Sequence, residues 1–294
     1  MAAPSDAQVD ARAWVGLAAL GLAWGSSFLF NTLALEAFDP FFITGARLAL
    51  AALMMAMLAR AVAGPFPAEA RFWLWSTPIG FFALYVAYLG YTWAQQAVPG
   101  AVAAIYVACG PLLVLILAHF LAGERLTGRR AAGCALGLAG VALVIGPAAF
   151  AGVGGALAYE AAALGSAVSF AIAAILVRRA PKYHPMHAAA GAVIAAAVMA
   201  APLMALHAPT ALPGPGPVAA IAVLGLIQTG FAQIIRFWLI KRSGAVFASQ
   251  ASFLLPMVAL ALGWLILGET LGPADAAGLA LILGGLAIGQ LRRG

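Results

Sequence analysis

A stretch of 32 residues occurs twice in this chain, 145 positions apart. The sequence PLLVLILAHFLAGERLTGRRAAGCALGLAGVA, residues 111–142, returns as PMVALALGWLILGETLGPADAAGLALILGGLA, residues 256–287, with 14 identical positions and no gap. The identities include a proline, a Gly-Glu pair and two glycines, which a shared content of Ala and Leu does not explain. Internal repetition of this kind indicates that the chain consists of two copies of one structural unit.

The composition places both copies in a membrane. Hydrophobic residues make up 65% of the chain and charged residues 8%, against about 45–50% and about 25% in soluble domains. A hydrocarbon core about 30 Å thick needs about 20 apolar residues per helical span, and the period-2 alternation of barrel strands is nearly absent. We therefore predict an all-α membrane protein in which the net charge of +6 orients the loops and does not bind nucleic acid.

Charged residues and Pro/Gly clusters divide the chain into ten predicted transmembrane spans, of which the fifth and tenth are the shortest. The predicted bounds of the spans are 13–35, 41–59, 72–95, 100–121, 130–145, 156–177, 186–206, 218–240, 245–267 and 274–290.

The ten spans form two predicted repeats of five helices. Their order along the chain is a cytoplasmic tail at 1–12, the first repeat at 13–146, a periplasmic linker at 147–155, the second repeat at 156–290 and a cytoplasmic tail at 291–294.

The basic residues fix the orientation of these spans. Of the 15 Lys and Arg residues, 13 lie in alternate segments between spans, and the intervening segments hold none. The positive-inside rule then places both termini in the cytoplasm. Because five spans per copy is an odd number, the second copy must enter the membrane upside down relative to the first. Inverted repeats are a common architecture of secondary transporters, whose substrate site lies near the midplane where the repeats meet.

Several segments together resemble the EamA-type branch of the drug/metabolite transporter superfamily, and the resemblance covers essentially the whole chain. The segments are Trp24-Gly25-Ser26-Ser27-Phe28, Pro40 followed by Arg47, Pro111, the GERLTG and GETLG turns, and the Gly-rich fifth and tenth spans. The resemblance implies a ten-helix exporter of amino acids and other small metabolites, most like the bacterial aromatic and neutral amino-acid exporters. It also implies alternating access through a central cavity that rocking helices close. The second repeat lacks the WGSSF segment and the mid-helix arginine.

Polar side chains at helical spacing predict where the cavity lies, since such groups are costly in a bilayer unless they face the bundle interior. The third and eighth spans, which are repeat-related, each carry a polar stripe. For a single Ser or Thr, an interhelical hydrogen bond is the simpler interpretation. The aromatic and amide side chains taken together favour a substrate cavity, lined by Trp24, Asn31, Tyr85, Tyr88, Gln95, Tyr106, Gln233 and Gln250.

Arg47 lies about 10 Å inside the second span at 1.5 Å per residue, where an arginine costs about 2.5–3.5 kcal/mol. Two interpretations carry equal weight. The guanidinium either binds a substrate carboxylate through two hydrogen bonds, or forms a structural link to helix carbonyls, Glu36 or Asp39. Arg236 lies about one turn from the cytoplasmic surface and is predicted to extend to it.

Two pairs of residues occupy the same position in both copies and have structural interpretations. Pro111 and Pro256 lie within spans and predict either gating kinks or static bends. Glu124 and Glu269 form a structural turn, in which the carboxylate accepts hydrogen bonds from the N-terminus of the helix that follows. The cysteines match no metal-ligand or redox spacing, so we expect no metal and no cofactor.

These observations predict an inner-membrane secondary transporter that exports aromatic or neutral amino acids or similar small metabolites by alternating access. One alternative is a nucleotide-sugar or sugar-phosphate exchanger of the same superfamily, which needs several cations in the cavity. An intramembrane enzyme is a weaker alternative, since the spans offer no HExxH, no GxSG and no aspartate pair. No Asp or Glu lies at the predicted midplane, which favours facilitated diffusion over proton coupling through Glu160 or His119.

The expected partners are a small-molecule substrate and the lipid bilayer, with a monomer expected and a dimer as the alternative.

Overall fold

The computed structural model describes residues 10–122, 128–150, 157–211, 213–243, 247, 251–270 and 272–290. Every regular element within these residues is helical, which confirms the predicted all-α fold. The helices are α1 (Ala11–Leu35), α2 (Pro40–Ala63), α3 (Ala70–Ala94), α4 (100–122), α5 (Gly128–Phe150), α6 (Leu157–Arg179), α7 (Pro185–Leu206), α8 (215–243), α9 (251–267) and α10 (Pro273–Gln290).

Six helices, α1, α2, α3, α6, α7 and α8, contain a stretch long and apolar enough to cross a bilayer, and the other four contain shorter apolar stretches. The fifth helix is longer than the sequence predicted. It has 23 residues and continues through Pro147 to Phe150, where the sequence predicted the start of the periplasmic linker. Proline ended the predicted span, but membrane helices tolerate it because neighbouring groups satisfy the carbonyl that loses its partner.

The helices α5 and α10 cross at the glycines that the two copies share. A Cβ atom added at Gly140 would lie 2.6 Å from the carbonyl oxygen of Gly278, and one added at Gly285 would lie 2.4 Å from that of Gly133. A shift of 145 positions converts one contact into the other, because it pairs Gly133 with Gly278 and Gly140 with Gly285. Small residues at such positions let helix backbones approach closely. The crossing is therefore two-fold symmetric, and each copy contributes the same two glycines.

A second pair of close approaches obeys the same shift. A Cβ atom at Gly80 of α3 would lie 2.2 Å from the carbonyl oxygen of Ala192 in α7, and one at Gly225 of α8 would lie 2.9 Å from that of Arg47 in α2. Both the glycines and their partners are 145 positions apart. The helix α3 thus packs on α7 as α8 packs on α2. Arg47 occupies a position where the other copy has alanine, so the packing of this interface does not require an arginine.

Several helices are interrupted at membrane depth. The first helix breaks at Ser26, and π-helical segments occur at Phe81–Val86 of α3, Val223–Phe231 of α8 and Gly263–Leu267 of α9. The segments of α3 and α8 overlap under the 145-residue shift. Such π-helical turns are frequent at functional sites. Both halves of the molecule therefore carry the same irregularity at the same place.

The fourth helix also breaks, at Cys109, between Gly100–Ala108 and Gly110–Ala122. Pro111 becomes the second residue of the latter helix, where a missing N–H group leaves no hydrogen bond unmade. Pro256 differs, because it is buried within the continuous helix Ala251–Leu262.

An ion pair joins the ends of α1 and α8. Asp10 Oδ1 accepts hydrogen bonds from the Ala13 backbone N–H and from Arg242 Nε, each at 3.0 Å. The Arg242 guanidinium lowers the pKa of Asp10 from 3.8 to about 2. Because the folded-state pKa is lower than the unfolded value, the pair stabilises the fold above about pH 4, and this contribution is lost as the pH falls through about 2.

We expect Gly285→Ala to lower the thermal midpoint of the detergent-solubilised protein. Its methyl group would overlap the α5 backbone, and overpacking of this kind costs about 1–3 kcal/mol. Gly165→Ala is the matched control, because nothing lies within 4 Å of its Cβ position. That exposed helical position should be neutral or gain stability from the higher helix propensity of alanine. Equal midpoints for the two variants would contradict the tight crossing of α5 and α10.

Candidate functional site

Arg47 lies inside the helix bundle, and only 2% of it is exposed. Its Nε donates a hydrogen bond to Thr229 Oγ1 at 2.7 Å, and its Nη1 donates one to the Tyr91 hydroxyl at 2.5 Å. Its guanidinium carbon lies 4.0 Å from the centre of the Tyr88 ring, a cation–π contact worth about 2 kcal/mol when it is desolvated. The Asn31 amide of α1 lies beside the Tyr91 hydroxyl. We term Asn31, Arg47, Tyr88, Tyr91 and Thr229 the Arg47 cluster.

The positive charge of Arg47 has no carboxylate partner among the described residues. The sequence left Glu36 and Asp39 open as partners. Asp39 instead caps α2 by accepting from the Phe41 backbone N–H at 2.8 Å. Nη2 of Arg47 donates no hydrogen bond to a described residue. A charge buried without a counter-ion is costly, so the Arg47 cluster presents a positive group that an anionic ligand would neutralise.

Several polar atoms in and beside the cluster are buried and have no hydrogen-bond partner among the described residues. They are both polar atoms of the Asn31 amide, Thr44 Oγ1 and Gln228 Oε1. Thr44 lies one turn from Arg47 on α2, and Gln228 precedes Thr229 on α8. Each unsatisfied buried group costs about 1–3 kcal/mol, and native proteins keep few of them. They lie on α1, α2 and α8, the helices beside Arg47, and such a distribution is typical of a binding site whose ligand supplies the missing hydrogen bonds.

A hydrogen bond connects the neighbour of Thr229 to the break in α1. Gln228 Nε2 donates to Ser26 Oγ at 2.9 Å, and Ser26 is the residue at which the regular helix of α1 is interrupted. The neighbouring Ser27 hydroxyl donates to the Trp24 carbonyl oxygen at 2.7 Å. The hydroxyls of the Trp-Gly-Ser-Ser segment therefore bond to the backbone at the break and to α8.

Arg236 lies on α8, seven residues beyond Thr229 on the side that the predicted topology makes cytoplasmic. Its side chain is exposed, and it lies about 10 Å from Thr229 along the helix at 1.5 Å per residue. Arg236 forms no hydrogen bond or ion pair with a described residue. The sequence predicted that it reaches the cytoplasmic surface. The side chain is exposed in the structure, and its extension to that surface stays a prediction.

The structure brings some of the predicted cavity residues together. Asn31, Arg47 and Tyr88 belong to the Arg47 cluster. Gln233 is half-buried one turn before Arg236 on α8, and Tyr85 is half-buried one turn before Tyr88 on α3.

Other predicted residues make contacts elsewhere. Gln95 Nε2 donates to the Phe28 carbonyl oxygen at 2.8 Å and to Thr32 Oγ1 at 3.1 Å, and so joins α3 to α1. Trp24 packs against an apolar cluster formed by α1, α8 and the start of α9. Tyr106 is buried among apolar residues of α4, α6 and α10, and no described residue hydrogen-bonds its hydroxyl.

Glu269 connects the two repeats. Its carboxylate accepts hydrogen bonds from the backbone N–H groups of Gly100 at 2.9 Å and Ala101 at 3.1 Å. These groups begin α4, whereas the sequence predicted a contact with the following helix, α10. Asp275 occupies that place and accepts from the Gly272 N–H. An anion at a helix N-terminus is stabilised by the helix dipole, so Glu269 holds the start of α4 against the end of α9. A cavity of about 280 Å³ lies beside this contact.

Gln250 and Glu124 lie outside the described residues. The sequence did not place Tyr91 in the cavity, because it lies off the stripe of Tyr85 and Tyr88. The 145-residue shift between the two copies would have identified Tyr91. Tyr91 and Arg236 are 145 positions apart, as are Tyr88 and Gln233, so the residues facing the cavity on α8 point to their counterparts on α3.

An all-helical membrane bundle of two pseudo-symmetric halves, with an unneutralised cation and unpartnered polar groups between them, has the features of a membrane transporter. The family model of the EamA-like transporter family matches residues 12–146 and, a second time, residues 157–288. The chain belongs to the EamA-like transporter family. It is a multi-pass inner-membrane protein with the two-repeat fold of that family, and its substrate is a small molecule.

Two related proteins and one solved structure are similar to this chain. The aromatic amino acid exporter YddG of Ancylobacter novellus is 29% identical over 217 residues, which cover 72% of this chain and 74% of the exporter. The uncharacterized inner membrane transporter YedA of Escherichia coli strain K12 is 29% identical over 272 residues, 91% of this chain and 87% of the relative. A crystal structure 23% identical in sequence superimposes with a TM-score of 0.64 over 95% of this chain and 96% of its own, which shows the same fold.

We expect Thr229→Val to lower the thermal midpoint, because it removes the hydroxyl that accepts from Arg47 Nε while keeping the shape of the side chain. Hydrogen bonds to charged groups contribute about 1.5–3 kcal/mol. Thr229→Ser keeps the hydroxyl and is the control. A midpoint for Thr229→Val equal to that of wild type would show that this hydrogen bond does not hold Arg47.

Proposed function

We propose that this protein exports aromatic or neutral amino acids, or similar small metabolites that bear a carboxylate, across the inner membrane by alternating access. The observation that carries the proposal is the buried Arg47 guanidinium, for which the described residues provide no carboxylate partner and no acceptor for Nη2. The planar guanidinium matches a carboxylate in geometry and binds it through charge-assisted hydrogen bonds. A substrate carboxylate would complete the Arg47 cluster.

The surroundings of Arg47 suit an aromatic or apolar side chain. The Tyr91 ring centre lies 5.3 Å from that of Phe28 and 5.6 Å from that of Tyr88, and Tyr88 lies 6.2 Å from Phe170. Aromatic pairs at such separations are favourable, and a bound ring would extend the set. The unpartnered amide of Asn31 can hydrogen-bond an amino or acylamino group. The name of the Ancylobacter relative, an aromatic amino acid exporter, supports the same class of substrate.

The helix ends support loading from the cytoplasm. Glu269 joins α9 to α4 at the face that the predicted topology makes periplasmic. Arg236 is exposed about 10 Å nearer the cytoplasm than Thr229, at 1.5 Å per helical residue. An exporter takes up its substrate on that side. The break before Pro111 and the buried Pro256 then serve as hinges when the two repeats rock.

We propose facilitated diffusion as the mode of transport. Among the described residues, no carboxylate hydrogen-bonds to the Arg47 cluster, whereas proton-coupled transporters use such groups as relays. The family and the named relatives are transporters, so no catalytic activity is proposed. A second candidate is an exchanger of sugar phosphates or nucleotide sugars, and Arg236, about two turns beyond Thr229 on α8, favours it by adding a second cation.

We expect Arg47→Gln to lower kcat/KM for saturable uptake of labelled phenylalanine into proteoliposomes at least tenfold, because the variant removes the charge that the substrate carboxylate would contact. Arg47→Lys should be intermediate, since it keeps the charge and loses the two-pronged geometry. Arg60→Gln is the control, because Arg60 is an exposed arginine in the last turn of the same helix. Wild-type uptake by a folded Arg47→Gln variant would make Arg47 structural. Absence of uptake by wild type across a panel of amino acids would contradict the proposed substrate class.

A further inference from the structure

We propose that the transported form of the substrate carries a net negative charge, and that Arg236 selects for it. The class is small carboxylates whose amino group is absent or acylated, or which bear a second anionic group, in preference to zwitterionic amino acids. This inference rests on the proposed function, which places the substrate carboxylate at Arg47.

The distribution of basic residues singles out two arginines. Of the 15 Lys and Arg residues, 13 lie in the loops that the positive-inside rule makes cytoplasmic, and the remaining two are Arg47 and Arg236. These two are 189 positions apart in sequence and belong to different repeats. The structure nevertheless connects both to α8, because Thr229 accepts a hydrogen bond from Arg47 Nε and Arg236 lies about two helical turns further along the same helix. At 1.5 Å per residue the two positions on α8 are about 10 Å apart, so a substrate bound at Arg47 would lie near a second positive charge.

Nothing among the described residues neutralises this pair. The described carboxylates with identified partners act elsewhere. Asp10 pairs with Arg242, and Glu69 accepts from the Tyr183 hydroxyl. The carboxylates of Asp39, Glu269 and Asp275 accept backbone N–H groups at helix ends. Like charges repel strongly in a site of low dielectric. A zwitterion would bring its ammonium group towards two cations, whereas an acylated amino group adds no charge and can hydrogen-bond the amide of Asn31.

The repeat-related positions carry neutral residues in place of both arginines. Arg47 corresponds to Ala192 and Arg236 corresponds to Tyr91 under the 145-residue shift. The two equivalent helix contacts at Gly80 and Gly225 form whether alanine or arginine occupies the partner position. Since the pseudo-symmetric scaffold accepts neutral residues at both positions, the two charges are best explained by a ligand of opposite charge.

The test compares three compounds that share one side chain in proteoliposomes containing the full-length protein. N-acetylphenylalanine has a net charge of −1, phenylalanine is zwitterionic, and phenylalanine amide is cationic. We expect kcat/KM for N-acetylphenylalanine to exceed that for phenylalanine at least tenfold, with no saturable uptake of the amide. We also expect an inside-positive potential, set by a potassium gradient with valinomycin, to accelerate uptake of the anion and to leave uptake of the zwitterion unchanged.

Variants then test the role of Arg236. Arg236→Gln should lower the ratio of N-acetylphenylalanine to phenylalanine uptake at least tenfold, Arg236→Lys should keep it above one, and the control Arg60→Gln should leave it at the wild-type value. A wild type that prefers phenylalanine would overturn the inference and leave the proposed function standing. The same holds if the ratio is identical in wild type and in Arg236→Gln. Absence of saturable uptake of all carboxylates tested would overturn both the inference and the proposed function.

Discussion

The structure around the site depends on one buried positive charge held by neutral groups. Gly225 has no side chain, so α8 approaches the carbonyl oxygen of Arg47 more closely than any other residue would permit. One turn further along α8, Thr229 then meets Arg47 Nε. On the opposite side the guanidinium contacts Tyr88 and Tyr91 of α3. Three helices from both repeats thus converge on a cation that no described carboxylate neutralises, which leaves the neutralising role to a ligand.

The contacts between helices are the same in both repeats, whereas the side chains at the site are not. Glycines at 133, 140, 278 and 285 form equivalent contacts at the crossing of α5 and α10. Glycines at 80 and 225 do the same at the two interfaces beside the site. The side chains at the site differ between the copies. Under the 145-residue shift, Arg47 corresponds to Ala192 and Tyr91 corresponds to Arg236. Two equivalent halves can exchange inward and outward arrangements, while the unmatched residues form one site for one class of substrate.

Much of the fold could be predicted from the sequence because bilayer physics leaves few choices. The apolar runs and the repeat predicted an all-helical protein with two related halves, and the family match and the described helices confirm this. The end of α5 was predicted too early, because a proline near a helix end does not by itself show whether neighbouring groups satisfy the freed carbonyl.

The site was harder to predict, since side-chain direction depends on helix irregularities. Stripes drawn at 3.6 residues per turn do not account for the π-helical segments of α3 and α8, and Tyr91 was therefore left out. Gln95 and Tyr106 are polar and buried, but a sequence does not distinguish a cavity from a helix contact or an apolar pocket. The partner of Glu269 was assigned to the wrong helix because α4 is distant in sequence and adjacent only in the fold.

The central claim is that a carboxylate on the substrate completes the Arg47 cluster. The most direct measurement is the thermal midpoint of the purified protein with increasing N-acetylphenylalanine, compared with N-acetylphenylalanine amide, in which only the carboxylate is replaced. A ligand that binds the folded state stabilises it by RT ln(1 + [L]/Kd), so the midpoint keeps rising with ligand concentration above Kd. The account predicts a concentration-dependent rise with the carboxylate, none with the amide, and none with either compound in Arg47→Gln. Equal rises with both compounds, or a wild-type rise in Arg47→Gln, would contradict it.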